Sequence, residues 1–230
     1  MALALKQPTK KKVTTRPRDA ATLILVRFDG PEARILMGQR HDAHAFMPNK
    51  FVFPGGRMET ADGRLPTDHE GDPVTVEKLK LRTGPKPSHS RARGLLVAAI
   101  RETYEETGLL VGRSVSDGPL NLSGLIYFAR AITPPGRNRR FDSRFLVANA
   151  TIVSNLAQPH ALETAELLDL KWVTLVEAIE LNLPSITRDI LQLLRPFLDR
   201  KCLPPVDCPI SFHHNRGKTW QVELLSHRKT

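Results

Sequence analysis

The nine residues Arg101-Glu-Thr-Tyr-Glu-Glu-Thr-Gly-Leu109 constrain this chain more than any others. They close a segment, Ser90 to Thr107, in which Leu95, Ala98, Ala99 and Tyr104 suit one packed helical face. Ser90 is placed to cap the start of that helix, and Gly108 to end it. Helical geometry then sets Glu102, Glu105 and Glu106 at i, i+3 and i+4, on one side. Three carboxylates there repel one another and also oppose the macrodipole near a helix C-terminus. One helix-borne arginine, Arg101, cannot neutralise three. A hard divalent cation, Mg²⁺ or Mn²⁺, can, because it prefers carboxylate oxygens. For this segment alone a solvated acidic helix face is the competing reading.

The rest of the chain reads as strands with helices between and after them. Ala20 to Phe28 is a buried strand, Asp29-Gly30-Pro31 a turn, and Ala33 to Arg40 the hairpin partner. A short strand at Phe51 to Phe53 is ended by Pro54-Gly55-Gly56. Residues 63–90 are rich in Pro and Gly around one helical pattern, Val74 to Leu81, and form an insertion too long for a mere connection. Asn121 to Ile132, Ser143 to Val153 and Leu170 to Val173 read as strands. A helix is expected near Leu175 to Glu180. A second begins at Pro184-Ser185, with Ile186, Ile190, Leu194 and Phe197 in one stripe. From residue 200 the chain is Pro-, His- and basic-rich, with one strand-like stretch, Thr219 to Leu225. The pattern predicts an α+β or α/β/α layered domain over residues 19–200, preceded by a disordered basic tail at 1–18 and followed by a C-terminal extension at 201–230.

Composition excludes several classes. The chain has 230 residues and 40% hydrophobic residues, ordinary for a globular domain. Its longest apolar run, Leu95 to Ile100, is far below the roughly 18 residues of a membrane helix. Two cysteines, Cys202 and Cys208, do not make a disulfide scaffold. With His213 and His214 they space as C-x5-C-x4-H-H, which does not match the close pairs of zinc sites. The N-terminus lacks the order of a secretory signal, and a cytoplasmic location is expected. The net charge of +10 is uneven: residues 1–18 hold six basic residues and no acid, leaving +4 for the remainder. Such a tail suits a polyanion or simple solvation.

Arg101-Glu102-x-x-Glu105-Glu106-x-Gly108-Leu109 resembles the second half of the Nudix box, G-x5-E-x7-R-E-U-x-E-E-x-G-U. Phe53-Pro-Gly-Gly56-x-x-Glu59 resembles the first half. With Gly56 as the box glycine, its first acid falls on Asp62, and its apolar position after Arg-Glu on Thr103. Thirty-eight residues, 63–100, stand where the box has seven. The two halves together are a specific signal. The interrupted box, with Phe46 to Asp62, Ala98 to Glu102 and Arg139 to Phe145, is similar to the branch that includes the peroxisomal coenzyme A diphosphatases. The C-terminal residues, Ser-His-Arg-Lys-Thr230, are not a peroxisomal Ser-Lys-Leu address. A shorter coenzyme A motif of other Nudix enzymes would put its two arginines on Arg40 and Ala45.

The resemblance implies a Nudix-type α/β/α sandwich with a mixed sheet and an insertion inside the box. It implies hydrolysis of a diphosphate joining a nucleoside to another group, with Mg²⁺ or Mn²⁺ on Glu102, Glu105, Glu106 and the Gly56 carbonyl. Arg101 is then an orienting partner for a box glutamate. The general base is Glu102 or a residue on a later loop, Glu163 or Glu166. Arg40, Arg139, Arg140 and Arg144 are candidates for substrate phosphates, since the arginine fork is bidentate. Coenzyme A or acyl-coenzyme A leads as substrate. ADP-ribose, nucleotide sugars and capped RNA follow. A small nucleoside diphosphate derivative is the expected partner, a homodimer is left open, and no membrane or interleaved basic-aromatic RNA motif is expected. Two other classes compete. An idle Nudix-like binding module would have no need for three repelling glutamates. A nucleic-acid binder using the tail would lose affinity steeply with salt.

Overall fold

In a computed structural model, residues 15–42, 47–83, 87–112, 118–156, 167–217 and 219–226 are described. In chain order the elements are β1 (Arg18–Arg27), β2 (Arg34–Arg40), β3 (Phe51–Val52), β4 (Gly55–Arg57), β5 (Thr67–His69), α1 (Pro73–Leu79) and α2 (His89–Thr107). They continue with β6 (Leu120–Asn121), β7 (Ile126–Ile132), β8 (Phe141–Asn149), β9 (Leu167–Thr174), α3 (Leu175–Glu180), α4 (Ser185–Leu198), β10 (Ile210–Arg216) and β11 (Thr219–Leu225).

β1 organises the sheet. Its residues Leu23 to Val26 have no exposed surface, as a strand covered on both faces requires. It pairs in parallel with β8 from Arg18↔Phe141 to Val26↔Asn149, and antiparallel with β2 and β4 on its other side. The mixed sheet runs β11-β10-β7-β8-β1-β2-β3, with β4 added to β1 and β9 to β2. Ala21, Leu23 and Leu25 face α1 and α2 in one core, with Leu95, Leu96, Ala99 and Ile100. Ile24 and Val26 face α3 and α4 in the other, with Ala178, Ile190, Leu191 and Leu194. Each such aliphatic side chain contributes about 1.5–3 kcal/mol by leaving water. The result is the expected α/β/α sandwich. Among the described residues no helix is long and apolar enough to cross a membrane.

Several local details differ from expectation. Ser88, not Ser90, caps α2, its Oγ accepting from the Arg91 N–H at 3.3 Å. Gly108 ends the helix with a φ of 70°, as expected. The stretch Asn121 to Ile132 is two strands, because Gly124, with a φ of 78°, turns the chain between β6 and β7. β8 starts two residues before Ser143 and stops at Asn149, whose side chain caps a 3₁₀ turn. β10 was not anticipated. Ser211, His213 and His214 made it look polar, yet each is buried, and β10 pairs with both β7 and β11. Residues 1–14 of the basic tail lie outside the described residues, and Arg18 already belongs to β1.

Candidate active site

The site is built where β1 changes partner. β2 pairs with β1 only at Val26 and Arg27, and β4 pairs with it at Ala20 to Thr22. Between them the Leu23 N–H donates to the Pro54 carbonyl at 2.9 Å. This fork seats Pro54-Gly55-Gly56 beneath the last turns of α2. Gly55 has a φ of 151°, and a Cβ there would lie 2.5 Å from the Ala21 oxygen and the Thr22 Cα. Only glycine suits that position. Its N–H donates to Glu106 Oε2 at 2.8 Å. A Cβ on Gly56 would overlap the Glu102 carboxylate, so the missing side chain is what lets Glu102 lie against the loop.

The three glutamates differ in environment. Glu106 is buried, Glu102 is mostly buried, and Glu105 faces solvent. Arg101 binds outward across the group. Its Nη1 donates to Glu102 Oε1 and Glu105 Oε2, both at 2.9 Å. Its Nε and Nη2 form a fork on Asp62, at 2.8 and 3.1 Å, and Nη2 also donates to the Arg57 carbonyl at 3.0 Å. Asp62 is 1% exposed and also accepts the Glu59 N–H at 2.7 Å. The Asp62 hydrogen bonds hold the Arg101 guanidinium above its ordinary range, against the opposing effect of burial, with Glu102 and Glu105 adding to the rise. Arg101 and Asp62 are thus joined, although residues 63–100 separate them.

The donors are of the right kind for a hard divalent cation: carboxylates on one helix face beside a glycine backbone that leaves them room. They are not yet gathered as a shell. Arg101 spans two of them and Gly55 holds the third. Among the described residues no three His, Cys, Asp or Glu side chains stand in a metal-holding arrangement. A cation placed there would compete with Arg101 for Glu102 and Glu105.

The candidate substrate arginines are dispersed. Arg40 lies at the end of β2 opposite Leu167, half-buried. Arg139 is exposed between β7 and β8. Arg140 braces that connection, its Nε donating to the Thr133 carbonyl and its Nη1 to the Thr15 carbonyl, both at 2.9 Å. Arg144 corrects the expectation of a substrate contact. It is 0% exposed, because β8 lies mid-sheet and turns this side chain under α2. Its Nη1 pairs with Asp19 at 2.8 Å and with Asp142 at 3.1 Å. Glu163, Glu166 and Ala45 lie outside the described residues.

The sequence reading missed a chain of ion pairs around Arg144. Arg91 of α2 forks onto Asp19 with two bonds of 2.6 Å. Arg130 forks onto Asp142 with two of 2.7 Å and lies 4.6 Å from the centre of the Phe212 ring. Burial alone would raise the Asp19 carboxyl, but the Arg91 hydrogen bonds and the Arg144 and Arg91 charges outweigh it and hold the group below its ordinary value. Burial pushes the neighbouring Tyr127 phenol up to about 12, against the pull of Arg144 and Arg130. The available signal was charge inside otherwise apolar strands: Arg130 in β7 and Asp142 with Arg144 in β8 need partners there.

No protein-family model matches the chain. Its fold is that of the Nudix hydrolases. A Nudix hydrolase structure from Alicyclobacillus acidocaldarius superposes with a TM-score of 0.61 at 24% identity, covering 83% of this chain and 99% of that one. Two curated relatives are similar over part of the chain. One, from Caenorhabditis elegans, is named as nudix hydrolase 7 and is 26% identical over 198 residues, 74% of this chain and 55% of the relative. The other is the acyl-coenzyme A diphosphatase NUDT19 of Xenopus laevis, 33% identical over 94 residues, 34% of this chain and 25% of the relative. The chain therefore spans about half or less of the length of these curated relatives.

Proposed function

We propose that the chain is a metal-dependent Nudix hydrolase that cleaves the diphosphate of coenzyme A or acyl-coenzyme A, giving 3′,5′-ADP and (acyl-)4′-phosphopantetheine. The observation that carries the hydrolase reading is the seating of Glu102 and Glu106 against Gly55-Gly56, with Arg101 tied to Asp62. Two half-motifs 38 residues apart meet at one place, and the chemistry of that place is hard-oxygen ligation. The coenzyme A reading has narrower support: the resemblance around Phe46 to Asp62 and Arg139 to Phe145, and the acyl-coenzyme A diphosphatase among the relatives.

The barrier to diphosphate hydrolysis is electrostatic, since water approaches a phosphorus shielded by negative oxygens and the leaving phosphate gains charge. Mg²⁺ or Mn²⁺ held by Glu102, Glu105, Glu106 and the Gly56 carbonyl would neutralise those oxygens and lower the pKa of bound water. The protein's own residues do the rest. Gly55 fixes Glu106 through its N–H. Gly56 gives Glu102 its place. Arg101 anchors the Asp62 turn to α2 so that the loop and the glutamates keep one geometry. Glu102 is the carboxylate assigned to take a proton from attacking water, with Glu163 and Glu166 as the alternatives.

The test is a panel of diphosphates incubated with Mg²⁺ or Mn²⁺, with products identified by mass. Coenzyme A should give 3′,5′-ADP, and EDTA should abolish turnover. Faster cleavage of ADP-ribose than of coenzyme A would move the substrate to the general nucleotide-diphosphate class. Full turnover in EDTA would overturn the metal reading.

A further inference from the structure

An open cleft of about 900 Å³ lies where the Nudix-like box is interrupted. Arg18, Arg57, Arg64 and Arg91 line it, against two acids, Asp19 and Glu59. Both acids are already matched. Asp19 is bonded to Arg91 and Arg144, and Glu59 pairs with Arg57 at 3.3 Å. Arg18 and Arg64 are exposed, and among the described residues neither guanidinium has a hydrogen-bond or ion-pair partner. The cleft is therefore cationic in excess, from charges that no carboxylate on its walls offsets. Ser88 and Ser90 add hydroxyls to its rim.

The position matters as much as the charge. Along β4 the chain passes from Gly56, against Glu102, to Arg57, in the cleft wall, in one residue. One ligand of nucleotide size can reach both. Both ends of the insertion build the cleft: Gly63 and Arg64 where it starts, Ser88 and Ser90 where it finishes. The interruption of the box is thus what creates the space.

We propose that this cleft is a subsite for a phosphate monoester carried by the substrate, so that the insertion selects ligands with a second anionic group beyond the scissile diphosphate. For the identity of the ligand this rests on the hydrolase reading above; for the existence of the anion site it does not. A dianionic monoester suits the cleft better than a neutral hydroxyl, because two unpaired guanidiniums can each give it a charge-assisted fork.

The test compares wild type with the double variant R18Q/R64Q. Neither side chain holds the fold together, so Tm should not move, and R18K/R64K controls for charge. The ratio of kcat/KM for coenzyme A over dephospho-coenzyme A should fall at least about tenfold in R18Q/R64Q and recover in part in R18K/R64K. An unchanged ratio overturns the proposal. Calorimetric titration with 3′,5′-ADP and with inorganic phosphate, without metal, separates the two readings. If neither substrate is hydrolysed but 3′,5′-ADP binds wild type and not R18Q/R64Q, the hydrolase reading falls and the subsite stands. Equal binding of 3′,5′-ADP to both proteins overturns the subsite. Inorganic phosphate bound as tightly as 3′,5′-ADP makes it a site for free phosphate and overturns the assignment to a substrate group.

Discussion

At the C-terminal end of α2, three carboxylates face one way and one guanidinium reaches two of them. At its N-terminal end, Arg91 opens a relay of alternating charges, Arg91–Asp19–Arg144–Asp142–Arg130, in which every acid is bracketed by arginines. Both ends concentrate charge under or beside one helix, but the first leaves its carboxylates in excess, whereas in the second three arginines cover two aspartates. The difference separates two uses of charge. An uncompensated cluster at a glycine-lined opening is suited to a ligand. A compensated buried cluster holds the strands of the sheet in register under the helix, and removing any one member strands the others.

The largest expected effect therefore lies at the end without catalytic groups. Asp142→Ala leaves Arg130 and Arg144, 3% and 0% exposed, without their shared carboxylate. It should cost about 3–5 kcal/mol of stability, read as a lower urea midpoint with an unchanged slope. A cost below about 1 kcal/mol would break the comparison, because the relay would then be no more than a surface ion pair.

At the other end the loss should be of rate and not of fold. Glu106→Gln keeps an oxygen for the Gly55 N–H but removes the charge. Activity should drop on the order of 10² or more, about 2.7 kcal/mol in the barrier, while Tm stays near wild type. Equal losses of stability and activity would make Glu106 a structural residue like Asp142.

Adjacent glycines sharpen the same contrast. A Cβ on Gly55 meets backbone on two sides and demands a φ that alanine rarely adopts, so Gly55→Ala should destabilise by about 2 kcal/mol or more. A Cβ on Gly56 meets only the mobile end of Glu102. Gly56→Ala should fold nearly normally and still lose activity about tenfold, with a higher metal requirement. Reversal of this order in paired melting and rate measurements would place the functional carboxylate elsewhere.

These particulars show what the sequence could carry. The helix, its Gly108 end and the i, i+3, i+4 glutamates were legible because they depend on neighbours three and four residues away. The meeting of Gly55-Gly56 with Glu102 and Glu106 was reached through resemblance to the interrupted motif. Helical periodicity says nothing about which loop a helix face will meet. The ion relay was not legible, since Asp19, Arg91, Arg130, Asp142 and Arg144 come from four separate elements. The placement of Arg144 as a substrate contact followed from its chemistry alone. Only the position of β8 in mid-sheet shows that its charge is already used. β10 was missed for a related reason: His213 Nε2 meets Ser211 Oγ at 3.0 Å, and His214 reaches Glu223 at 2.9 Å, so these polar side chains could be buried without signalling it.

The relay also predicts a pH response. Asp19 titrates below its ordinary value of 3.8 when folded, so the stability it contributes is present at neutral pH. That stability is lost as pH falls below about 4, when the native carboxylate is forced to protonate. Melting temperatures measured from pH 7 down to 3 should fall in that window. Asp19→Asn should start lower and flatten the fall. An identical acid profile in wild type and Asp19→Asn would remove Asp19 from the relay.

The smallest effect concerns how α2 begins. Ser88 Oγ accepts the Arg91 N–H at 3.3 Å, and Arg91 is the first member of the relay. Ser88→Ala should cost about 1 kcal/mol as a lost cap, and the fraying it allows loosens the hold of Arg91 on Asp19. Ser90 sits inside the first turn and offers no cap, so Ser90→Ala should stay within about 0.5 kcal/mol. Denaturant midpoints for the two variants decide between the caps. If Ser90→Ala proves the costlier, α2 starts two residues later than its hydrogen bonds indicate, and Arg91 would enter the relay from the first helical position instead of the third.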